Sequence, residues 1–502
     1  MKYLNPLKLK TITATLLGFA FIASVVAPLR AQQPGQDKGS SRKAVERKNR
    51  APVSKEVLRV KLPKAVEATL DNGLTVMILE DHRFPVVNVN LQMSGAGPIF
   101  DPADKPGLAN LTAQMLREGT KTRNSRQISE EVDKLGATLT ANSGFGSTAA
   151  SISASGLSDN FDQWFGLMAD MLMNPTFPAD EFGKLKARQK TGLMQQRTQP
   201  GFLSEERFRR VVYGNHPAAV YSTTPAVLDA LTPELLAAWH RDRYVPQNAI
   251  LGIAGDVKAS EVIAKLKTAL AGWKRTDYKE SLPANPKPVA DAKIYLIDRP
   301  NSVQSTITMG NIAIDRRHPD YIPVVVMNSI VGGGASARLF LNLREEKGYT
   351  YGVYSNFTAV KYSGPWSAGG DVRTEVTEGA MTEFMKELNR IRDEKVPAEE
   401  LEEQKRSIVA GFALSLESPQ QLLNYSITRK IYGLPDDYWE TYPSKVMAVS
   451  ADEVQRVARQ YVNPQTQQIV VVGDAKKIKT ILEKFGTVVV FDADGKPQGT
   501  GK

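Results

Sequence analysis

The chain contains no cysteine and very little histidine. Its 502 residues include no Cys and four His, which excludes disulfides, cysteine-based zinc sites and a cysteine nucleophile. Hydrophobic residues make up 42% of the chain and charged residues 24%. These are ordinary globular values, so a largely disordered, fibrous or multi-spanning membrane protein is excluded. At this length we expect more than one domain.

The excess positive charge is concentrated at the N-terminus. The formal net charge is +10, and residues 1–64 hold 14 Lys or Arg against three acidic residues. The rest of the chain is therefore close to neutral. No nucleic-acid-binding surface is predicted for it.

Residues 1–31 are typical of a secretory signal peptide. Three lysines precede an apolar stretch of 17 residues, and Ala31 provides a small residue at the expected cleavage point. We therefore predict export, to the periplasm of a Gram-negative bacterium. The alternative is an uncleaved membrane anchor, because this stretch is close to the lower limit for spanning a bilayer.

Residues 32–64 are basic, polar and rich in Ser, Gly and Pro. This composition predicts a flexible linker. An alternative is an arm that touches anionic lipid or cell wall. Otherwise we expect membrane contact only through an uncleaved signal peptide.

The remaining sequence is a tandem duplication. Tyr244–Asp256 and Phe177–Phe182 have counterparts at Tyr461–Asp474 and Val396–Leu401, displaced by 217 to 219 residues. Matching segments in one order at nearly one spacing indicate two copies of one unit.

The duplication defines the predicted domains. A charged, Pro-containing stretch separates the copies and reads as a linker. The predicted boundaries are 65–275 for the first half, 276–293 for the linker, 294–488 for the second half and 489–502 for a C-terminal tail.

Each half mixes short strands with amphipathic helices. Asn72-Gly73 lies between two apolar runs and predicts a β-hairpin. Residues 86–93 alternate between apolar and polar, as in a strand with one buried face. Residues 168–173 are rich in Met, which we interpret as core packing rather than a metal or cofactor site. The predicted class is α+β, with antiparallel sheets covered by helices on one face.

One segment carries a family resemblance. Residues 107–120 read Gly-Leu-Ala-Asn-Leu-Thr-Ala-Gln-Met-Leu-Arg-Glu-Gly-Thr. With the hairpin before it and the duplication around it, the chain resembles the pitrilysin/insulinase (inverzincin) family of zinc peptidases over residues 65–488. Family members carry an inverted His-x-x-Glu-His zinc motif on this helix. The resemblance implies a fold like that of pitrilysin and the mitochondrial processing peptidase.

In this chain the motif positions are Asn110, Ala113 and Gln114. Asn and Gln are poor zinc ligands, and an alanine cannot move a proton. No acidic residue occurs between Glu181 and Glu205, where the family's third ligand is expected. The four histidines are too scattered to replace the ligands: His82, His216, His240 and His318. We therefore predict a degenerate site with no catalytic residue, metal or cofactor in this chain.

The second half contains the glycine run Gly332, Gly333 and Gly334. Three glycines could cradle a phosphate, but no Gly-Lys-Ser/Thr follows. A helix C-cap with a flexible loop is the simpler interpretation. In the family a matching loop flanks the substrate path, so the resemblance implies substrate binding.

A Leu-Arg-Glu segment further on resembles the family's Arg/Tyr pair, in which Tyr follows Arg by seven residues. This spacing carries over to Arg344 and Tyr351. Their donors would reach a zinc site on another subunit and hold the substrate carbonyl. The alternative is that Arg344 pairs with Glu345 or another neighbouring acid and Tyr351 packs in a strand. Tyr349 ranks second for the Tyr role, because its spacing is five.

The resemblance implies a non-catalytic, substrate-binding subunit of a heteromeric pitrilysin-like zinc metallopeptidase that acts on peptides in the cell envelope. Its partner would be a homologous subunit that carries the zinc, in a heterodimer. The alternative is a structural or binding protein of the same fold with no role in proteolysis. The residues at 110–114 contradict an autonomous zinc peptidase.

Overall fold

The computed structural model describes residues 56–498. The predicted signal peptide, most of the predicted linker and residues 499–502 lie outside the described residues. Within residues 56–498, no helix combines the length and apolar character needed to cross a membrane.

The first half builds one six-stranded sheet, in the order β1-β2-β6-β3-β5-β4. Its strands are β1 Val66–Thr69, β2 Thr75–Glu80, β3 Val86–Ser94, β4 Thr138–Asn142, β5 Ala149–Leu157 and β6 Ala249–Gly255. Its helices are α1 Leu108–Met115, α2 Ser125–Lys134, α3 Phe161–Met173, α4 Ala179–Gln196, α5 Pro200–Tyr213, α6 Pro225–Ala230, α7 Pro233–Arg243 and α8 Ala259–Ala269.

The second half builds a matching sheet, in the order β12-β7-β11-β8-β10-β9. Its strands are β7 Lys293–Asp298, β8 Gln304–Ile312, β9 Thr350–Ala359, β10 Ser363–Arg373, β11 Gln468–Gly473 and β12 Val488–Phe491. Its helices are α9 Tyr321–Gly332, α10 Arg338–Phe340, α11 Thr377–Asp393, α12 Ala398–Ser415, α13 Pro419–Tyr432, α14 Tyr438–Ala448, α15 Ala451–Tyr461 and α16 Ala475–Leu482. A π-helical turn, Leu341–Glu346, continues α10.

The two halves repeat one topology, which confirms the predicted α+β duplication. The order β2-β6-β3-β5-β4 in one sheet corresponds to β7-β11-β8-β10-β9 in the other. Antiparallel sheets were predicted, and the observed sheets are mixed, because some neighbouring strands pair parallel. The strand that returns late in each half, β6 or β11, pairs parallel to β2 or β7. Several helices separate the paired strands along the chain, and a long crossover allows parallel pairing.

The hairpin at Asn72-Gly73 is confirmed. β1 and β2 pair antiparallel, with Thr69 opposite Thr75, and Gly73 takes a φ of 87° that glycine tolerates. Met168 and Met171 are buried in the core of the first half, as the core-packing interpretation requires.

In each half, one helix packs against the sheet of the other half. Phe208 and Val212 of α5 pack into a cluster with Val470 of β11. Leu423 and Ile427 of α13 pack against β2 and β6 in return. Both faces of each sheet are therefore covered, one by its own helices and one by the exchanged helix. The expectation of helices on one face was incomplete.

The backbone of β6 lies very close to a side chain of the exchanged helix α13. At Gly252 in β6, a Cβ atom would lie 2.6 Å from Cδ1 of Ile427. Because glycine has no Cβ atom, α13 can pack against the strand at this position.

The segments outside the halves also pack. Glu280 of the predicted linker forms an ion pair with Lys361 of the second half at 2.7 Å. The hydroxyl of Tyr278 donates to the carbonyl of Gly95 in the first half at 3.1 Å. The predicted tail boundary at 489 cuts through β12, because Val488–Phe491 adds in parallel to β7.

Candidate functional site

The half-buried carboxylate of Asp101 fixes the start of α1, the helix of the degenerate motif. Asp101 accepts hydrogen bonds from the backbone N–H groups of Gly107 at 2.7 Å and Ala109 at 3.0 Å. These are donors that a helix N-terminus leaves open. Burial raises the pKa of Asp101 to about 7, against the effect of these backbone donors.

The predicted motif residues form a chain of amide hydrogen bonds. Asn110 donates to the carbonyl of Ser143 at 2.9 Å and accepts from Nε2 of Gln114 at 2.6 Å. Gln114 accepts in turn from Nε2 of Gln189 on α4 at 2.9 Å. Asn110 and Gln114 meet because side chains four residues apart share a face of a helix.

This arrangement does not fit a zinc ion. The amide groups of Asn110 and Gln114 bond to each other, and neutral amides are weak ligands for Zn²⁺. Ala113 is buried and carries no proton-transfer group. Among residues 56–498, no cluster of three or more His, Cys, Asp or Glu could hold a metal ion.

Gln189 was not predicted from the sequence. A carboxylate was expected on this helix and none is present, whereas the structure places the amide of Gln189 opposite Gln114. A signal was present, because Gln189 lies four residues from both Leu185 and Leu193, which are buried. A polar residue in an apolar stripe of a helix indicates a partner inside the fold.

The amide chain divides two recesses. A cleft of about 340 Å³ lies between α1, α4, α5 and residues 221–223. A second recess of about 430 Å³ is lined by residues of α1, α2, α4 and β4. Gln114 and Gln189 line both. The positions at which the resemblance implies a zinc motif thus lie in an amide-lined groove.

Arg344 lies on the π-helical turn of the second half. Within this turn, Asn342 donates to the carboxylates of Glu383 and Glu387 on α11, both at 2.8 Å. Just before it, the guanidinium of Arg338 donates to Glu400 at 2.7 and 2.8 Å. The turn is therefore held firmly on two helices.

The guanidinium of Arg344 itself is partly exposed. It donates to Oε1 of Glu345 at 2.8 Å and lies 5.5 Å from the ring centroid of Phe340. The surface ion pair that the sequence left open as an alternative is therefore present.

Tyr351 lies near the start of β9, the outermost strand of the second sheet. Its side chain is 90% exposed, so it does not pack in the strand as the alternative required. The rival Tyr349 is half-buried and packs against the core of the second half.

The glycine run ends α9 beside β9. Gly332 is the last residue of α9 and Gly333 is its C-cap. A Cβ on Gly332 would lie 2.4 Å from the backbone nitrogen of Ser355 in β9, so close packing requires glycine there. Nothing lies within 4 Å of the Cβ position of Gly334.

The predicted site residues thus form two groups. The amide group belongs to the first half, and the glycine run, Arg344 and Tyr351 belong to the second half around β9. Neither Arg344 nor Tyr351 lines the two recesses beside the amides.

Comparison with known families identifies the class of protein. The model described as "Insulinase (Peptidase family M16)" matches residues 75–218. The model described as "Peptidase M16 inactive domain" matches residues 230–408. Together they cover more than half of the chain, and the chain belongs to peptidase family M16. The match to the inactive-domain model and the amide groups on α1 make it an inactive-type member.

Two bacterial relatives match over most of their length. "Uncharacterized zinc protease YmxG" of Bacillus subtilis (strain 168) is 22% identical over 393 residues, covering 78% of this chain and 94% of that protein. "Non-peptidase homolog YmxG" of Helicobacter pylori is 23% identical over 418 residues, covering 80% of this chain and 93% of that protein.

Solved structures share the fold. A peptidase M16 inactive domain from Pseudomonas fluorescens matches with a TM-score of 0.76 and 27% identity, covering 82% of this chain and 98% of that one. The periplasmic protease PqqL from Escherichia coli matches with a TM-score of 0.67 and 16% identity, covering 83% of this chain and 46% of that one.

Proposed function

We propose that this chain is the non-catalytic, substrate-binding subunit of a heteromeric M16 zinc metallopeptidase that acts on peptides in the cell envelope. A separate, homologous subunit would carry the zinc, and the peptide would lie between the two. The observation that carries the proposal is the side chain of Tyr351, which is 90% exposed, with Arg344 on the adjoining π-helical turn.

The chemistry of the two side chains supports this role. Arg344 offers forked N–H donors and Tyr351 offers one O–H donor, and none of these groups needs to give up a proton. Both can hold a peptide carbonyl and strengthen their hydrogen bonds as negative charge develops on its oxygen. A metal on the partner would supply the activated water.

The local structure also supports it. Six residues of π-helix are rare, and such turns occur frequently at functional sites. An exposed tyrosine adds nothing to the core, so packing gives no reason for Tyr351. The buried anchors at Asn342 and Arg338 give the turn the rigidity that a positioning element needs.

A second function has an observation in its favour. The ion pair between Arg344 and Glu345 occupies the guanidinium that would bind substrate. This pairing is expected of a structural or binding protein of the same fold with no role in proteolysis. A relative described as a non-peptidase homolog supports this second function as well.

Export to the periplasm is part of the first proposal. Its support is the sequence pattern of residues 1–31 and a structural neighbour described as a periplasmic protease. N-terminal sequencing of the protein from an envelope fraction tests it. We expect the mature chain to start near Gln32, whereas a start at Met1 in the membrane would favour the anchor.

A co-expression experiment tests the function. The chain is purified alone and together with an M16 homologue that carries His-x-x-Glu-His, and hydrolysis of a fluorogenic peptide is measured for each. We expect the chain alone to be inactive and the pair to co-purify and cleave. Chelator-sensitive hydrolysis by the chain alone would overturn the proposal. So would partner activity that is the same with and without this chain.

A further inference from the structure

A cavity of about 540 Å³ lies between the segment just before β1 and the helices α13 and α14. One wall consists of residues 62–65 and Glu67, and the other consists of one face of α13 with the first turn of α14. Within the described residues, its lining shares no member with the two recesses beside the amides. The volume lies in the range of sites that bind small molecules.

Four charged side chains of this cavity pair with one another. Glu67 accepts from Nη2 of Arg429 at 2.7 Å and from Nζ of Lys430 at 3.1 Å. Nη1 of Arg429 donates to the carboxylate of Asp436. Two cations and two anions thus balance, and this group leaves no net charge for a ligand to neutralise.

Two further charged side chains of the cavity are open, one of each sign. Neither the carboxylate of Glu440 nor the ammonium of Lys64 forms a hydrogen bond or an ion pair with another residue in the described part of the chain. Glu440 is half-buried in the first turn of α14, where the helix dipole favours its ionised form. Lys64 is exposed and belongs to the wall before β1. A partly buried charge is stabilised when a ligand supplies the missing opposite charge.

Apolar groups form much of the remaining lining. Leu62, Leu422 and Leu434 lie there together with the rings of Tyr425 and Trp439. The two rings pack on each other, with centroids 4.3 Å apart. Nε1 of Trp439 donates to the carbonyl of Tyr425 at 2.8 Å. Because the indole N–H is already bonded, Trp439 presents only apolar surface to a ligand.

We propose that this cavity binds a small aliphatic zwitterion, an ω-amino acid whose ammonium and carboxylate groups are separated by a methylene chain. The ammonium group pairs with Glu440, the carboxylate pairs with Lys64, and the methylene chain packs against the leucines and the two rings. A ligand with one charge leaves either Glu440 or Lys64 unpaired and is repelled by the other, so it binds more weakly.

This binding site joins the two halves and goes beyond the proposed function. Lys64 precedes β1 of the first half, whereas Glu440 belongs to the second half. Occupation of the cavity requires neither a zinc-bearing subunit nor the pair of Arg344 and Tyr351. Failure of the proposed function in the assembled complex therefore leaves this inference intact, and the reverse also holds.

Calorimetric titration of the purified chain tests the inference. The probes are the unbranched ω-amino acids of four, six and eight carbons, at neutral pH and low ionic strength. We expect at least one of them to bind with a Kd below about 1 mM. The amine and the carboxylate of the same chain length, such as hexylamine and caproate, each lack one charge. They should bind at least about fivefold more weakly, because one ion pair is lost.

Substitutions locate the binding site. Glu440→Gln removes the charge and keeps the shape, so it should weaken zwitterion binding about tenfold and remove the advantage of the zwitterion over caproate. Lys64→Gln should weaken binding about threefold, since Lys64 is exposed, and remove the advantage over hexylamine. Asp437→Asn is the matched control, because Asp437 is exposed and does not line the cavity. It should change the affinity less than about twofold.

Three results would overturn the inference: no binding of any ω-amino acid in the series, equally tight binding of the singly charged analogues, or native affinity of the Glu440→Gln variant for the zwitterion. Circular dichroism verifies the fold of each variant. The comparison of zwitterion, amine and carboxylate uses the native chain, so it decides the matter even if a variant fails to fold.

Discussion

Removing the hydroxyl of Tyr351 separates a role in catalysis from a role in the fold. Its side chain is 90% exposed, and its hydroxyl bonds to no described residue. Tyr351→Phe should therefore change the free energy of unfolding of the isolated chain by less than about 0.5 kcal/mol. Urea unfolding of the native chain and the variant measures this difference.

In the assembled complex the same change should be large. If the hydroxyl donates to the developing oxyanion, its loss lowers kcat by about 10²–10³-fold, or about 2.7–4 kcal/mol. KM should change little, because the interaction strengthens only in the transition state. Arg344→Ala should act in the same direction. The double variant should lose less than the sum, because both groups hold one oxygen.

The assay is steady-state hydrolysis of a fluorogenic peptide by the complex, with size-exclusion chromatography to verify assembly. Tyr349→Phe is one control, since that ring is half-buried in the core. Tyr354→Phe is a second, on the same strand. Both should leave kcat unchanged. A kcat for Tyr351→Phe within about twofold of the native complex, less than about 0.5 kcal/mol, would refute the assigned role.

Three further predictions follow from named contacts. Glu345→Gln should raise kcat/KM of the complex up to about fivefold, because an exposed ion pair of about 0–1 kcal/mol no longer holds Arg344; a decrease would contradict this. A second variant restores zinc ligands at the three converging amides, with Asn110→His, Gln114→His and Gln189→Glu. Elemental analysis should find one Zn²⁺ per chain in the triple variant and none in the single variants. The pKa of Asp101 is raised from 3.8 to about 7 in the folded chain. The folded chain therefore binds this proton more tightly than the unfolded chain does, which stabilises the fold at low pH. This stabilisation is lost as the pH rises towards about 7. The unfolding free energy of the native chain minus that of Asp101→Asn should therefore decrease as the pH rises from about 4 to about 7. Urea titrations at several pH values can measure this decrease.

Local chemistry predicted much of each half. The Asn-Gly pair after β1 determines a hairpin on its own, and the alternation along β3 follows from one buried face. Because the sequence repeats, the elements predicted for the first half could also be assigned to the second half. The parallel strands β6 and β11 left no local trace, because their direction depends on crossovers through several helices.

The exchange of α5 and α13 was equally invisible. An apolar stripe shows that a helix is buried but not which sheet it covers. Gly252 marks the contact with Ile427, yet one glycine in a strand has many explanations. Gln189 could have been found from its place between two buried leucines, whereas its pairing with Gln114 required the fold.

The exchanged helices have a consequence for how the protein is made. α5 ends at Tyr213, but β11, one of the two strands on which it mainly packs, begins at Gln468. Synthesis at about 5–20 residues per second separates the two by on the order of 10–50 s. During this interval Leu203, Phe208 and Val212 lack the part of their sheet that β11 provides, and the outer face of β2 stays uncovered until α13, Pro419–Tyr432, has been made. The first half therefore cannot complete its packing before the second half is made. The duplicated chain completes its fold only when it is nearly full length.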